Sequence, residues 1–136
     1  MSERTNTEVV QQGYEAFGRG DIPALLDLLT DDVEWTLQGP SVIPFAGTRH
    51  GREGVAEFFS VLDETLEFEQ FEPREFVAQG DTVVVVGIER SLSKATGRTI
   101  EQEWAHVNTL RDGKIARVRS FEDTGAFVAA FHRRGV

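Results

Sequence analysis

"EQEWAHVNTLRDGKIARVRSFED", Glu101 to Asp123, is the stretch whose reading decides the fold. Two alternating runs flank Arg111-Asp112-Gly113, a tight-turn signature, so the stretch reads as a β-hairpin. A strand sends successive side chains to opposite faces. Gln102, Trp104, His106, Asn108 and Leu110 therefore share one face, and Glu101, Glu103, Ala105, Val107 and Thr109 share the other. A large aromatic beside hydrogen-bonding groups fits an enclosed, partly polar cavity better than dry core or open solvent. In the return strand Arg117, Arg119 and Phe121 share one face, with Ala116, Val118, Ser120 and Glu122 on the other.

Each of these residues also has a plainer reading. His106 is a pocket residue, a neutral core histidine bonded to backbone, or part of a subunit interface. Trp104 is a cavity wall or a core filler. Asn108 serves a ligand or the end of the hairpin. Arg119 meets a buried carboxylate or an anionic ligand, or it balances Glu101 or Glu103 on the surface. Ser120 has no visible His–Asp partnership.

Upstream, "TEVVQQGYEAFG" places Val10, Tyr14 and Phe17 on one face of a helix. "RGD" turns, and Asp21 caps a second helix, "IPALLDLLT", with Pro23 near its start and Leu25, Leu26, Leu28 and Leu29 buried. "VEWTL" reads as a short strand and "QGPSVIPFAGTRHGRE" as a long irregular piece. Its apolar residues Ile43, Pro44 and Phe45 need cover, either as a rim over a cone mouth or as a plug within it. "GREGVAEFFSVLDET" returns to helical periodicity. "LEFEQFEPREFVAQG", which alternates poorly, and the apolar "DTVVVVGIERSLS" read as strands before the hairpin. "DTGAFVAAFHRR" closes the chain as a short helix capped by Asp123 or Thr124, with His132 and the following arginines at its C-terminal pole.

Three helices, an early strand and four antiparallel strands make a two-layer α+β fold, a curved sheet wrapped on the helices as a cone-shaped roll. The 136 residues suit a single domain spanning 1–136, and a 40% hydrophobic fraction with ten Phe and two Trp is enough for a core. No run is long and apolar enough for a membrane span, so no membrane partner is expected. The net charge of −9, with Lys and Arg scattered, speaks against nucleic acid. Without Cys there are no disulfides or thiolate sites, which suits the cytoplasm. His50 reads as a turn or cap residue, no metal-binding His motif is present, and no Gly-rich phosphate loop follows a strand. No metal and no cofactor are expected.

"YEAFGRGDIPALLDLLTDDVEW", "GTRHGREGVAEFF" and "EWAHVNTLRDGKIARVRSFEDTGAFVAAF", in that order, resemble the SnoaL-like and ketosteroid-isomerase-like group of the nuclear-transport-factor-2-like superfamily, over roughly residues 7 to 132. The resemblance implies a cone with a pocket between sheet and helices, homodimers, and cofactor-independent acid–base chemistry in the enzymes. The isomerases' carboxylate base falls on Trp35. Their oxyanion-binding tyrosine falls on Gly13, with Tyr14 one position away and directed elsewhere, and their protonated aspartate falls on His106. Steroid isomerisation by that mechanism is therefore not expected. The polyketide-cyclase branch uses a His, matched by His106, and an Asp with no firm counterpart, Asp123 being a cap candidate. The epoxide-hydrolase Asp–Arg–Asp set meets Trp104 and His106 where two of its members would stand.

The expected site has His106 as acid or base, Asn108 or Gln102 orienting it or a substrate oxygen, and Arg119 stabilising negative charge. Tyr14, Phe17, Trp35, Phe45 and Trp104 form an apolar, substrate-binding wall. The expected reaction is of isomerase, cyclase, hydrolase or dehydratase type. Its partner is a small, apolar or partly polar organic ligand with a carbonyl, enol or hydroxyl. The alternative is a non-catalytic binder or a structural homodimer.

Overall fold

The computed structural model describes residues 2–132, so the arginines expected at the C-terminal pole lie outside the described residues. The chain runs α1 (Glu3–Gly18), α2 (Ile22–Leu26), β1 (Leu29–Leu37), β2 (Gly47–His50), α3 (Gly51–Thr65), β3 (Leu66–Gln79), β4 (Thr82–Ser93), β5 (Thr99–Arg111), β6 (Lys114–Phe121) and α4 (Thr124–Phe131). Side chains start three of the helices. Ser2 Oγ accepts from Thr5 N, Asp21 from Ala24 N, and Asp123 from Ala126 N, each satisfying an amide the helix cannot.

The strands form one six-stranded sheet in the order β2-β1-β6-β5-β4-β3. Every neighbouring pair is antiparallel except β1 and β6, which run parallel with Trp35 opposite Val118 and Leu37 opposite Ser120. The hairpin turn has left-handed backbone at both central residues, Asp112 (φ 52°) and Gly113 (φ 79°). That turn matches the twist of the strands it joins. Register shifts in β3 between Phe68 and Gln70, and between Pro73 and Glu75, bend this edge strand. They also explain its poor alternation, because each extra residue resets which face the next side chain takes. Helices α1, α3 and α4 lie over one face, and the core between them holds Val10, Leu29, Val55, Val83, Trp104 and Phe127, all nearly without exposure.

Two expectations are corrected. The second helix stops at Leu26, and Leu29 and Thr30 already belong to β1, where they are buried. Its leucines fit a strand as readily as a helix, since four apolar residues in five carry no period. The stretch after β1 is also not irregular throughout, and of the rim and plug readings Ile43 and Phe45 take the plug while Pro44 is exposed. Ile43 and Phe45 are fully buried, Phe45 meets Phe58, Phe127 and Phe131 at ring distances of 6.4, 5.2 and 6.1 Å, and Gly47–His50 forms the edge strand β2. This segment closes the cone from inside.

Candidate functional site

Between the helices and the sheet lies a cavity with about 90 Å³ open to the centre of a water molecule. Helix α1 supplies Val10, Gly13, Tyr14 and Phe17, helix α3 supplies Phe58, Phe59 and Leu62, and β1 adds Trp35 and Leu37. Tyr14, Phe17, Phe59, Leu62, Phe68 and Phe71 also line an open cleft between α1, α3 and β3. These six side chains are common to the cavity and the cleft.

The polar groups gather on the sheet side: Glu89 from β4, His106 and Asn108 from β5, Ser120 from β6 and Glu122 just beyond it. Tyr14 reaches them from α1, its hydroxyl 2.7 Å from His106 Nδ1. With the ring proton on Nε2, Tyr14 donates to Nδ1. The two rings are nearly parallel, at 5°, and His106 stacks on Trp104 at 4.2 Å, which stacks on Phe71 at 4.8 Å. Removal from water holds the imidazole neutral, lowering its pKa to about 3. The same desolvation pushes the Tyr14 phenol up, with the nearby Asn108 opposing the rise and Glu122 adding to it. Asn108 Nδ2 donates to Val83 O at 3.2 Å, so its place on the strand is fixed.

The carboxyls form a second network. Glu89 accepts from Ser91 Oγ at 2.7 Å and from Gln102 Nε2 at 3.3 Å. Gln102 Oε1 accepts from Asp123 N at 2.7 Å, tying this network to the start of α4. Glu122 Oε2 is buried with no hydrogen-bond partner. Burial raises the pKa of Glu89, with Ser91 and Gln102 opposing. Burial raises Glu122 well above the usual glutamate range, the neighbouring Glu89 charge pushes it further, and a side-chain hydrogen bond from Gln102 opposes the rise.

Of the residues expected at the site, Tyr14, Phe17, Trp35, Phe45, His106 and Asn108 line the cavity. Tyr14 points into the cavity with the rest of the wall, one position on from where the resemblance places the isomerase tyrosine. Trp104 is buried behind His106 rather than lining the cavity, and it presses so closely on β4 that a Cβ on Gly87 would sit 2.3 Å from its ring. Arg119 is corrected as an inward cation. Val118 and Ser120 line the cavity, so the alternation of β6 puts Arg119 on the opposite face, beside Val107 and Thr36. Asp123 is spent as the cap of α4, its Oδ1 accepting from Ala126 N at 3.0 Å. Glu89 and Glu122 were not among the expected site residues. Parity carried the signal, since Glu89 shares its face with Val83 and Val85, and Glu122 follows Val118 and Ser120. Among the described residues no three His, Asp or Glu side chains gather as a metal site would need.

A family model, the SnoaL-like domain, matches residues 10–118, most of the chain. The chain belongs to the SnoaL-like family. A crystal structure of an NTF2-like protein from Burkholderia xenovorans LB400 is 37% identical, with a TM-score of 0.89 over 97% of this chain and 99% of that one. An NTF2-like protein of unknown function from Burkholderia pseudomallei K96243 is 30% identical, with a TM-score of 0.86 over 98% and 100%. TerC, co-crystallised with polyporic acid, is 33% identical, with a TM-score of 0.83 over 93% and 98%. No curated protein matches the chain. The α+β cone is therefore the SnoaL-like, NTF2-like architecture.

Proposed function

We propose that this SnoaL-like chain performs cofactor-independent acid–base chemistry, of isomerase, cyclase or hydrolase/dehydratase type, on a mainly apolar molecule with a carbonyl or hydroxyl. One observation carries the reading: a buried carboxyl pair, Glu89 and Glu122, stands with the Tyr14–His106 couple at the polar end of an otherwise apolar cavity. A carboxyl that keeps its proton toward neutrality is a general acid, and its ionised form is the base that returns the proton. Glu122, unpartnered at Oε2, is the group we assign to proton transfer. With its ring proton on Nδ1 instead, the neutral His106 donates to the Tyr14 oxygen and leaves the phenol hydrogen free, so that Tyr14 with Asn108 polarises a substrate oxygen. Phe17, Trp35 and Phe45 hold the apolar body. The co-crystallisation of TerC with polyporic acid supports a ligand in this kind of cone.

A homodimer, in the cytoplasm, is part of the same reading. The sheet face turned away from the helices carries Val84, Val86, Ile88, Ala105 and Val107, only partly exposed, with Phe121 44% exposed among them. The alternative is a non-catalytic binder using the same cavity.

The test is proton exchange in D2O, followed by NMR, over a panel of apolar cyclic ketones. The expected result is exchange beside the carbonyl of at least one ketone above the buffer rate, reduced roughly 10²-fold or more by Glu122→Gln. Exchange at the buffer rate throughout, or an undiminished rate in the variant, rejects the catalytic reading.

A further inference from the structure

Among the described residues, the polar end of the cavity holds acids without a matching cation. Glu89 is 4% exposed, and both of its oxygens are engaged by neutral donors, Ser91 and Gln102. Glu122 Oε2 has neither water access nor a partner. Among the described residues, the titratable groups lining the cavity are Tyr14 from α1, Glu89 from β4, His106 from β5 and Glu122 after β6, with no Lys or Arg. The one cation expected there, Arg119, lies on the other face of the sheet. The rest of the cavity is lined by aromatic residues, Tyr14, Phe17, Trp35, Phe58, Phe59 and Phe68 among them.

We propose that the cavity takes an organic cation, an apolar amine whose ammonium group sits against Glu122 while its hydrocarbon body lies among the rings. The inference rests on the reading that this cavity is the ligand site, and it narrows the substrate class. An ionised carboxylate buried without a partner is costly, and a cation is what relieves it. Aromatic faces attract a desolvated cation further. An ammonium group also brings several N–H donors to a place where Glu122 Oε2, Ser120 Oγ and the Asn108 carbonyl oxygen are acceptors. A neutral alcohol brings one donor. An anion meets two carboxyls and, among the described residues lining the cavity, no positive charge.

Titration calorimetry of the full chain near neutral pH tests this with three probes of one shape: 2-phenylethylamine, 2-phenylethanol and 3-phenylpropanoate. The amine is expected to bind about 10-fold or more tightly than the alcohol, and the carboxylate to give no binding heat. Glu122→Gln is expected to bring the amine down to the level of the alcohol, and Glu89→Gln to weaken it less. The inference is overturned if the alcohol or the carboxylate binds as well as the amine, if no probe binds, or if amine affinity survives both substitutions. Binding of the alcohol without preference for the amine would remove the cation alone and leave the acid–base reading to the exchange experiment.

Discussion

The two faces of the β5–β6 hairpin come from the same twenty-odd residues and do opposite things. Toward the helices stand Gln102, Trp104, His106, Asn108, Val118 and Ser120, buried or lining the cavity. Away from them stand Glu103, Ala105, Val107, Thr109, Arg117, Arg119 and Phe121, more exposed on the whole. A slip of one residue in pairing would exchange the two sets completely. The tight turn at Asp112-Gly113 and the close fit of Trp104 over Gly87 hold the register in place. The inner face therefore carries both the core and the cavity lining, while the outer face stays partly exposed.

The largest break in that contrast is Trp104→Ala. It deletes a side chain that is 1% exposed and that props His106, Phe71 and Tyr14. A loss of about 3–5 kcal/mol is expected, read from urea unfolding. A change within the range of ordinary surface substitutions would show that the stack carries little of the fold's stability.

A second, smaller contrast lies within the inner face, between its two kinds of titrating group. The unfolded chain protonates His106 at about 6.5, the fold only at about 3. The unfolded state thus binds more protons across that window, and stability is lost as pH falls from 6.5 toward 3. Glu89 and Glu122 have folded values above the ordinary 4.5, so here the fold holds more protons. Their contribution declines as pH rises from 4.5 through those raised values. Unfolding midpoints at pH 4, 6 and 8 should show Glu122→Gln gaining most on the alkaline side. His106→Gln should instead flatten the acid side. A uniform offset across all three pH values would contradict both assignments.

The smallest effect on folding is expected on the outer face. Phe121→Asp removes a half-exposed ring from the proposed dimer surface and should leave the unfolding midpoint within about 0.5 kcal/mol of the parent when the two are compared as monomers. Light scattering should show a shift from dimer to monomer. A parent protein that is already monomeric at micromolar concentration would remove the dimer from the account.

Period two was enough to read β5 correctly, because none of its side chains had to change face between Gln102 and Asn108. The same rule misled at Arg119 only in its interpretation. Its parity with Phe121 already separated it from Val118, and the need for a cation in the site was a chemical expectation rather than a pattern. Glu89 was hidden in a strand read as apolar, although its parity with Val83 and Val85 pointed inward. Strand β3 resisted reading because its bulges break alternation, a property of pairing rather than of composition. The neighbourhood of β1 and β6, and of Tyr14 and His106, 92 positions apart, had no local signature at all. Such contacts belong to the closed cone and not to any segment of it.

The parallel pairing of β1 with β6 also sets a timetable. Residues 29–37 find their inner neighbour only in residues 115–120, more than 80 positions downstream. During synthesis β1 has the four-residue β2 as its only early strand partner, and a two-stranded ribbon is marginal alone in water. Closure of the sheet therefore waits until residues 115–120 have left the ribosome. Until then the valine-rich β4 and the unpaired edge of β1 are open to other nascent chains. Helices and hairpins can assemble early, but the protein is committed to its shape only when its last strand arrives.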